Sequence, residues 1–274
     1  WADKNTNIAL SHQRLSIVDL SSNGHQPMSS DCSRYTIVFN GEIYNHRFLR
    51  NKLIESNAKY SFRGNSDTEV LLLAIKVWGI EAALQKCEGM FAIALWDGLH
   101  KKLFLARDRF GEKPLYYGNV GNDFVFGSEL KALKAHPNFD NSIDRSSITN
   151  FLRYSFIPSP KSIYSNISKL IPASILCVDF QKKSQKISSY WSLENTKKLT
   201  NHSNFNSQGE ILNELHQKLD AAVSDQTLAD VPVGAFLSGG IDSSLIAALM
   251  QNHSNKPINT FSLGFSEPAY DESK

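Results

Sequence analysis

The sequence predicts two architectures in one chain: a strand-rich α+β region, then the start of an α/β domain with a parallel sheet. Short β-type runs separated by turn signals fill the first two-thirds of the 274 residues. An Asn-rich polar segment without periodicity follows, and an α-β-α-β order comes after it. We therefore expect a first domain over residues 1–193, a linker over residues 194–208 and the beginning of a second domain over residues 209–274.

Strand and turn signals define the first region. The apolar run from Phe91 to Trp96 is followed by Asp97-Gly98 and then by a second run from Lys102 to Ala106, which indicates a β-hairpin. A second hairpin is expected between Tyr116 and Phe126. The other β-type runs are Leu15 to Val18, Thr36 to Phe39, and a strand pair formed by Ser174 to Asp179 and Lys186 to Tyr190.

Two helices are expected between these strands. The segment from Asp67 to Trp78 has an acidic first turn and is followed by Gly79, which suits a helix C-terminus. Asp144 is placed to cap a second helix that runs through Tyr154.

The second region opens with one apolar helical stripe from Ile211 to Val223. A buried strand over Val231 to Leu237, a helix over Ser243 to Met250 and a second buried strand over Ile258 to Leu263 are expected to follow. This order is typical of a parallel, doubly wound sheet.

The composition excludes several classes of function. Hydrophobic residues make up 41% of the chain and charged residues 20%, as in ordinary globular proteins. The net charge is +2 and no basic run is present, so no nucleic-acid partner is expected. No apolar run approaches the roughly 20 residues that a membrane span needs. Cys32, Cys87 and Cys177 are widely spaced, which predicts neither disulfides nor a zinc site and favours a cytoplasmic protein.

A glycine-rich loop, Leu237-Ser-Gly-Gly-Ile-Asp-Ser-Ser244, lies between the predicted strand and helix of the second region. Its two glycines let backbone N–H groups close on an anion, and the helix directs its positive end at the same place. Asp242 alone would repel phosphate, so its expected role is to hold a Mg²⁺ ion that carries the phosphates. The loop resembles the pyrophosphate-binding loop of the ATP pyrophosphatase superfamily, and a capped glycine-rich turn is the alternative. The candidate ATP-binding residues are Leu237, Ser238, Gly239, Gly240, Asp242, Ser243, Ser244 and Leu263, of which the two leucines could equally be core residues.

A second cluster in the first region suits an amino-acid ligand. The Asn40 amide and the Gly41 N–H can form an oxyanion hole. Glu42 can bind an α-ammonium group, and Arg14, expected at a strand start, can clamp a carboxylate. Asp67 is expected at a helix N-terminus, either as the N-cap or as a second ammonium contact.

Seven motifs in order resemble the glutamine-hydrolysing asparagine synthetase family over essentially the whole chain. They are Arg14-Leu-Ser-Ile-Val-Asp19, Gly24-His-Gln-Pro-Met28, Asn40-Gly-Glu-Ile-Tyr-Asn45, Ser66-Asp-Thr-Glu69, Gly89 to Asp97, Arg107 to Tyr117 and Leu237 to Ser244. The resemblance implies an N-terminal Ntn-type glutaminase domain, an antiparallel β-sandwich flanked by helices. It also implies the start of an adenine nucleotide alpha hydrolase-like α/β domain.

The resemblance also implies a reaction. Glutamine is hydrolysed to glutamate, Mg-ATP adenylates aspartate to β-aspartyl-AMP with release of pyrophosphate, and ammonia displaces AMP to give asparagine. Carried over, Arg14 binds the glutamine carboxylate, Asn40 and Gly41 form the oxyanion hole, and Glu42 and Asp67 hold the α-ammonium group. The expected partners are glutamine, aspartate and ATP, and a homodimer is compatible with the resemblance.

Two departures from the family pattern stand out. The family's nucleophile is a cysteine at the mature N-terminus, whose own amine acts as the base, whereas this sequence begins at Trp1. The sequence ends at Lys274, before most of the synthetase domain. We therefore expect a fragment that lacks both ends and, as written, does not hydrolyse glutamine.

Two other functions remain open from the sequence. An amidotransferase of the same family could act on a sugar acid or a peptide carboxylate in surface-glycan synthesis, because the acceptor pocket is not among these residues. A binding or regulatory protein that kept the fold without catalysis is the alternative from another class.

Overall fold

The computed structural model describes residues 1–56, 60–199, 207–267 and 271. They form two compact units. The first consists of Trp1–Leu15 and Ser21–Leu199, and the second of Ser16–Leu20 and Thr200–Lys274.

The strands of the described residues are numbered in chain order. They are β1 (Ala2–Asp3), β2 (Ile8–Ala9), β3 (Met28–Ser29), β4 (Tyr35–Ile43), β5 (Gly89–Asp97), β6 (Lys102–Arg107), β7 (Tyr116–Val120), β8 (Asp123–Gly127), β9 (Ile167–Lys169), β10 (Ser174–Asp179), β11 (Ser184–Ser189), β12 (Gly234–Phe236) and β13 (Asn259–Phe261).

The helices lie mainly before β5 and after β8. They are α1 (His46–Ser56), α2 (Asp67–Trp78), α3 (Ile80–Lys86), α4 (Leu130–Lys134), α5 (Arg145–Tyr154), α6 (Leu193–Leu199), α7 (Gln208–Gln226) and α8 (Ile241–Asn252), with a short 3-10 helix at Ser22–Gly24.

Two antiparallel sheets form the body of the first unit. The larger sheet has six strands in the order β11-β10-β6-β5-β4-β3, and the smaller has the order β8-β7-β9. Strand β4 pairs with β5 along its whole length, from Tyr35 opposite Asp97 to Ile43 opposite Gly89.

The alternation of side chains along β4 and β5 separates two cores. Ile37 and Phe39 pack with helices α1, α2 and α3 on one face of the six-stranded sheet. Val38 and Trp96 face the other way, into a core to which Phe126 of β8 also contributes. The result is an antiparallel β-sandwich with helices on its outer face, which confirms the predicted fold class of the first region.

Local signals predicted most of these elements correctly. The hairpin at Asp97-Gly98 is present as β5–β6, and the second hairpin is present as β7–β8. Helix α2 has the predicted bounds, and Gly79 follows it with φ 81°, a conformation that favours glycine. Asp144 caps α5, because its side chain accepts a hydrogen bond from the Ser146 N–H.

One strand predicted in the first region is absent, and the segment predicted as a linker includes helical residues. Leu15 to Val18 forms no strand: the Ile17 carbonyl instead accepts a single hydrogen bond from the Asp230 N–H within the second unit. The predicted linker over 194–208 is partly helical, since Ser192 Oγ accepts from the Asn195 N–H at the start of α6. Its end is helical too, because Ser207 caps α7. Residues 200–206 of this linker lie outside the described part of the chain.

The second unit has the predicted helix–strand–helix–strand order. Strands β12 and β13 pair in parallel, from Gly234 opposite Asn259 to Phe236 opposite Phe261. The expectation that both strands are buried is wrong within the described residues, because Phe236 and Phe261 are exposed and only Ala235 of these strands enters the small core. Both strands are also shorter than predicted.

Across the described ranges, no helix combines the length and the apolar character that crossing a bilayer requires.

Candidate functional site

The C-terminal end of β4 presents the predicted oxyanion hole. Asn40 and Glu42 share the Val38 face of the strand by alternation, at the edge of the inter-sheet core. Gly41 lies between them opposite Phe91, and a Cβ at this position would overlap the Met90 carbonyl oxygen. Glycine is therefore required for the close approach of β4 to β5 at this point.

A serine from the smaller sheet contacts the Asn40 side chain. Asn40 Nδ2 donates a hydrogen bond of 3.1 Å to Ser128 Oγ, directly after β8. Sequence reasoning missed Ser128, because the two residues are 88 positions apart and nothing near Ser128 signals the contact.

Asp67 lies at the start of α2, but it is not the N-cap. The cap is Ser66, whose side chain accepts from the Glu69 N–H. Asp67 is instead the first helical residue, and its buried carboxylate accepts from the Ile43 N–H at 3.0 Å and the Thr68 N–H at 2.8 Å. The alternative of a simple cap is therefore wrong, and the carboxylate joins α2 to the end of β4.

Arg14 packs against the buried residue Gly24. A Cβ on Gly24 would lie 2.5 Å from both Nη atoms of Arg14, so only glycine leaves room for the guanidinium group in this position. The sequence predicts Arg14 at the start of a strand. The structure instead places it in an irregular segment. The positive charge of Arg14 lowers the pKa of the Asp67 carboxyl, against the larger effect of burial.

The two carboxylates of this site are electrostatically linked. Burial raises the pKa of the Glu42 carboxyl, the negative charge of Asp67 raises it further, and Lys113 opposes both effects. Burial also raises the pKa of Asp67, against the hydrogen bonds it accepts and the charge of Arg14. Asp67 is thus joined to the end of β4 next to Glu42, with Asn40 and Gly41 on the same strand, and the charge of Arg14 acts on Asp67.

Two buried charged residues, Arg107 and Asp108, fix the backbone of the neighbouring loop. Asp108 is fully buried and accepts hydrogen bonds from four backbone N–H groups, those of Phe91, Phe110, Glu112 and Lys113. Arg107 is also buried and donates to the carbonyl oxygens of Lys113, Leu170 and Gly111. This arrangement fixes the backbone of Lys113, whose charge reaches Glu42.

The three cysteines differ in their burial. Cys32 is exposed, Cys177 is half-buried and Cys87 is buried. Burial raises the pKa of the Cys87 thiol to about 12, so this thiol stays neutral.

Serine side chains form hydrogen bonds within the predicted phosphate loop of the second unit. Gly239 has φ 77°, in the left-handed region. Ser243 Oγ lies 3.1 Å from Ser238 Oγ, accepts from the Ser238 N–H and donates to the Gly240 carbonyl. Gly240 is the N-cap of α8 and has no side chain, so no N-cap side chain accepts from the first N–H groups of the helix.

Three other residues are predicted to bind the nucleotide: Asp242, Leu237 and Leu263. Asp242 lies in the first turn of α8 and does not cap it. Leu237 follows β12, and its carbonyl accepts from Ser262 Oγ at 2.6 Å. Leu263 lies beyond the end of β13 and is exposed, so it is not on a buried strand as predicted.

The donor set at this loop fits a cation carried by a nucleotide. Within the described ranges, no group of three or more His, Cys, Asp or Glu side chains could hold a metal. Magnesium is commonly bound by one or two carboxylates together with substrate phosphates. The single carboxylate of Asp242 beside an uncapped helix N-terminus fits that arrangement.

Comparison with known proteins identifies the class of protein. Residues 1–191 match the glutamine amidotransferase domain family, and residues 214–274 match the asparagine synthase family. The chain belongs to the glutamine amidotransferase domain family, as its resemblance to glutamine-hydrolysing asparagine synthetases implied.

Two curated relatives are asparagine synthetases by name. The chain is 36% identical over 267 residues to "Asparagine synthetase [glutamine-hydrolyzing] 3" of Bacillus subtilis, covering 95% of this chain and 42% of the relative. It is 37% identical over 287 residues to "Putative asparagine synthetase [glutamine-hydrolyzing] 2" of Methanocaldococcus jannaschii, covering 98% and 53%. The chain therefore spans about half the length of the curated relatives it matches.

A solved structure, glutamine phosphoribosylpyrophosphate amidotransferase from B. subtilis, aligns with a TM-score of 0.46 at 17% identity. The alignment covers 92% of this chain and 50% of that chain.

Proposed function

We propose that the first unit binds glutamine for hydrolysis, and that the second unit binds ATP for the synthesis of asparagine from aspartate. The observation that supports the first part best is the pair of carboxylates at the end of β4: Asp67 accepts from the Ile43 N–H next to Glu42, and the positive charge of Arg14 acts on Asp67. An amino acid carries one carboxylate and one ammonium group, and this set of charges complements both.

In the proposed glutaminase reaction, these residues bind and orient the substrate. Arg14 holds the α-carboxylate through charge-assisted hydrogen bonds, and Glu42 and Asp67 receive the α-ammonium group. The Asn40 amide and the Gly41 N–H stabilise the negative charge that develops on the side-chain oxygen of glutamine. The nucleophile that the family resemblance implies is an N-terminal cysteine, and none of the three cysteines of this sequence is proposed for that role.

The second unit is proposed to bind ATP through the loop from Ser238 to Ser244. The uncapped N-terminus of α8 and the serine hydroxyls supply donors for phosphate oxygens. Asp242 is proposed to hold Mg²⁺ together with the phosphates. ATP then activates aspartate as β-aspartyl-AMP, and ammonia released from glutamine displaces AMP.

Glutamine binding to the chain, measured by calorimetry, tests the first part of this proposal. Arg14→Ala is expected to weaken glutamine binding at least about tenfold, because a charge-assisted pair of hydrogen bonds is lost. Arg47→Ala is the matched control, since Arg47 is an exposed arginine on α1. Equal affinities in the wild type and Arg14→Ala would contradict the assignment.

The full-length protein extends the test to the reaction. Arg14→Ala is expected to reduce glutamine-driven synthesis of asparagine while ammonia-driven synthesis is largely retained. Equal losses with the two nitrogen sources would contradict the placement of Arg14 in the glutamine site. Amidation of another carboxylate in place of aspartate would contradict the proposed acceptor.

A further inference from the structure

The hydrogen bond between Asn40 and Ser128 joins the two sheets at the proposed oxyanion hole. Asn40 Nδ2 donates to Ser128 Oγ at 3.1 Å, and both residues are partly buried. Asn40 lies on β4 of the six-stranded sheet, whereas Ser128 follows β8 of the three-stranded sheet.

The position of Ser128 is fixed from both sides. Gly127, the preceding residue, pairs with Tyr116 at the end of the β7–β8 hairpin. Glu129, the following residue, is the N-cap position of α4, and Leu133 of that helix is buried. The hydroxyl group of Ser128 is therefore presented to Asn40 by a hairpin and a helix that are both anchored.

An oxyanion hole depends on donors that are oriented before the reaction begins. The terminal torsion of an asparagine side chain has a broad energy profile, so the carboxamide needs a partner to fix its direction. A carboxamide nitrogen carries two N–H groups. When Ser128 Oγ accepts one of them, the rotation of the amide is restrained and the other N–H remains for the substrate.

We propose that Ser128 is a positioning residue that orients the Asn40 carboxamide toward the oxyanion formed from glutamine. The proposal rests on the proposed glutaminase function and adds to it a residue that lies outside the motifs. In this proposal Ser128 acts through Asn40 and not on the substrate itself, so it affects the rate of the chemical step and not the binding of the amino-acid head group.

Steady-state glutamine hydrolysis by the full-length protein tests this proposal. Ser128→Ala is expected to lower kcat about tenfold, because a misdirected oxyanion donor loses part of its effect. The KM for glutamine is expected to change less than about twofold, because the head-group contacts are intact. Ser128→Thr retains a hydroxyl group and is expected to restore most of kcat.

Ser168→Ala is the matched control. Ser168 is a half-buried serine of β9 in the same sheet, and it lies opposite Tyr117 of β7. Its replacement is expected to leave kcat and KM unchanged. Thermal unfolding of all variants separates a loss of structure from a loss of positioning.

The outcomes distinguish this inference from the proposed function. No hydrolysis by the wild-type protein would overturn the glutaminase function and this inference with it. Hydrolysis by the wild type with an unchanged kcat in Ser128→Ala would overturn the inference alone. A fall in kcat that Ser128→Thr does not restore, or that Ser168→Ala reproduces, would assign the contact a merely structural role and also overturn the inference.

Discussion

The backbone N–H of Ile43 donates a hydrogen bond of 3.0 Å to Asp67 Oδ2. The buried carboxylate of the first residue of α2 is thereby bound to the last residue of β4. The Ile43 carbonyl in turn accepts from Nδ1 of the buried residue His46, at 2.9 Å. Both backbone polar groups of Ile43 are thereby hydrogen-bonded to side chains. The strand that carries Asn40 and Glu42 is consequently held at a fixed position relative to Asp67, as a site for a small charged ligand requires.

Glutamine affinity is expected to fall as the pH is lowered from 8 to 5. Burial raises the pKa of Glu42 and of Asp67, so protonation of these carboxyls begins at a higher pH than for ordinary carboxyl groups. A protonated carboxyl no longer attracts the α-ammonium group, whose own charge is constant over this range. Calorimetric titration with glutamine at several pH values measures the effect.

The variant Glu42→Gln provides the control for this pH dependence. It is expected to bind glutamine more weakly at pH 8 and to show a flatter pH profile, because one of the two titrating groups is gone. A wild-type affinity that stays constant between pH 8 and pH 5 would contradict the proposed ammonium contacts.

Gly24→Ala is expected to weaken glutamine binding about tenfold without unfolding the protein. The new Cβ would lie 2.5 Å from the Nη atoms of Arg14, well inside the contact distance of about 3.5 Å, so the guanidinium must move by roughly 1 Å. Because that group is the end of a flexible side chain, the free energy of unfolding is expected to change by less than about 1 kcal/mol.

Gly98→Ala is the matched control for this steric argument. Gly98 lies in the β5–β6 turn, and the nearest heavy atom to its added Cβ would be the Arg34 carbonyl oxygen at 3.4 Å. This variant is expected to bind glutamine like the wild type. If both variants bind glutamine equally well, the position of the Arg14 guanidinium does not determine glutamine affinity, and the prediction is wrong.

The elements that the sequence predicted correctly are those specified by local signals. Asp97-Gly98 specifies its hairpin, and the acidic first turn and Gly79 specify the ends of α2. The segment Leu15 to Val18 contains β-type residues but joins none of the sheets of the described residues. The Ile17 carbonyl instead accepts from the Asp230 N–H, more than 200 positions away.

The candidate site shows the same division between local and distant information. Asn40, Gly41 and Glu42 are adjacent in the sequence, and their shared strand could be predicted from it. The contacts that orient them could not, because Asn40 meets Ser128 across two sheets and Ile43 meets Asp67 between a strand and a helix. Such contacts arise from packing, which periodicity and turn signals do not encode.

Asp108→Ala is expected to lower the free energy of unfolding by about 3 kcal/mol, because four backbone N–H groups lose their acceptor at a fully buried position. Urea denaturation measures this loss. Asp140→Ala is the matched control, since Asp140 is exposed and accepts from the Ser142 N–H, and its removal is expected to cost less than about 1 kcal/mol. Similar losses in the two variants would show that burial of Asp108 does not determine the cost.

Asp242→Asn is expected to weaken Mg²⁺-dependent binding of ATP at least about tenfold, roughly 1.4 kcal/mol. The substitution nearly preserves shape and removes one negative charge beside the proposed phosphate site. A metal bridging the carboxylate and the phosphates would lose a charged ligand, whereas Mg²⁺-independent nucleotide binding should change little or improve, since Asp242 itself repels phosphate. Titration of the chain with ATP across a range of Mg²⁺ concentrations measures both quantities.

The structure removes the simplest alternative explanation of this prediction. If Asp242 served only as a helix cap, asparagine, an equally good cap, would be silent. Gly240 occupies the cap position, and Asp242 lies in the first turn, where its charge interacts with the helix dipole. Losing that interaction costs about 0.3–1 kcal/mol of stability and should not depend on Mg²⁺. A Mg²⁺ dependence of ATP binding that is identical in the wild type and Asp242→Asn would therefore rule out the metal role and leave Asp242 only its effect on the helix.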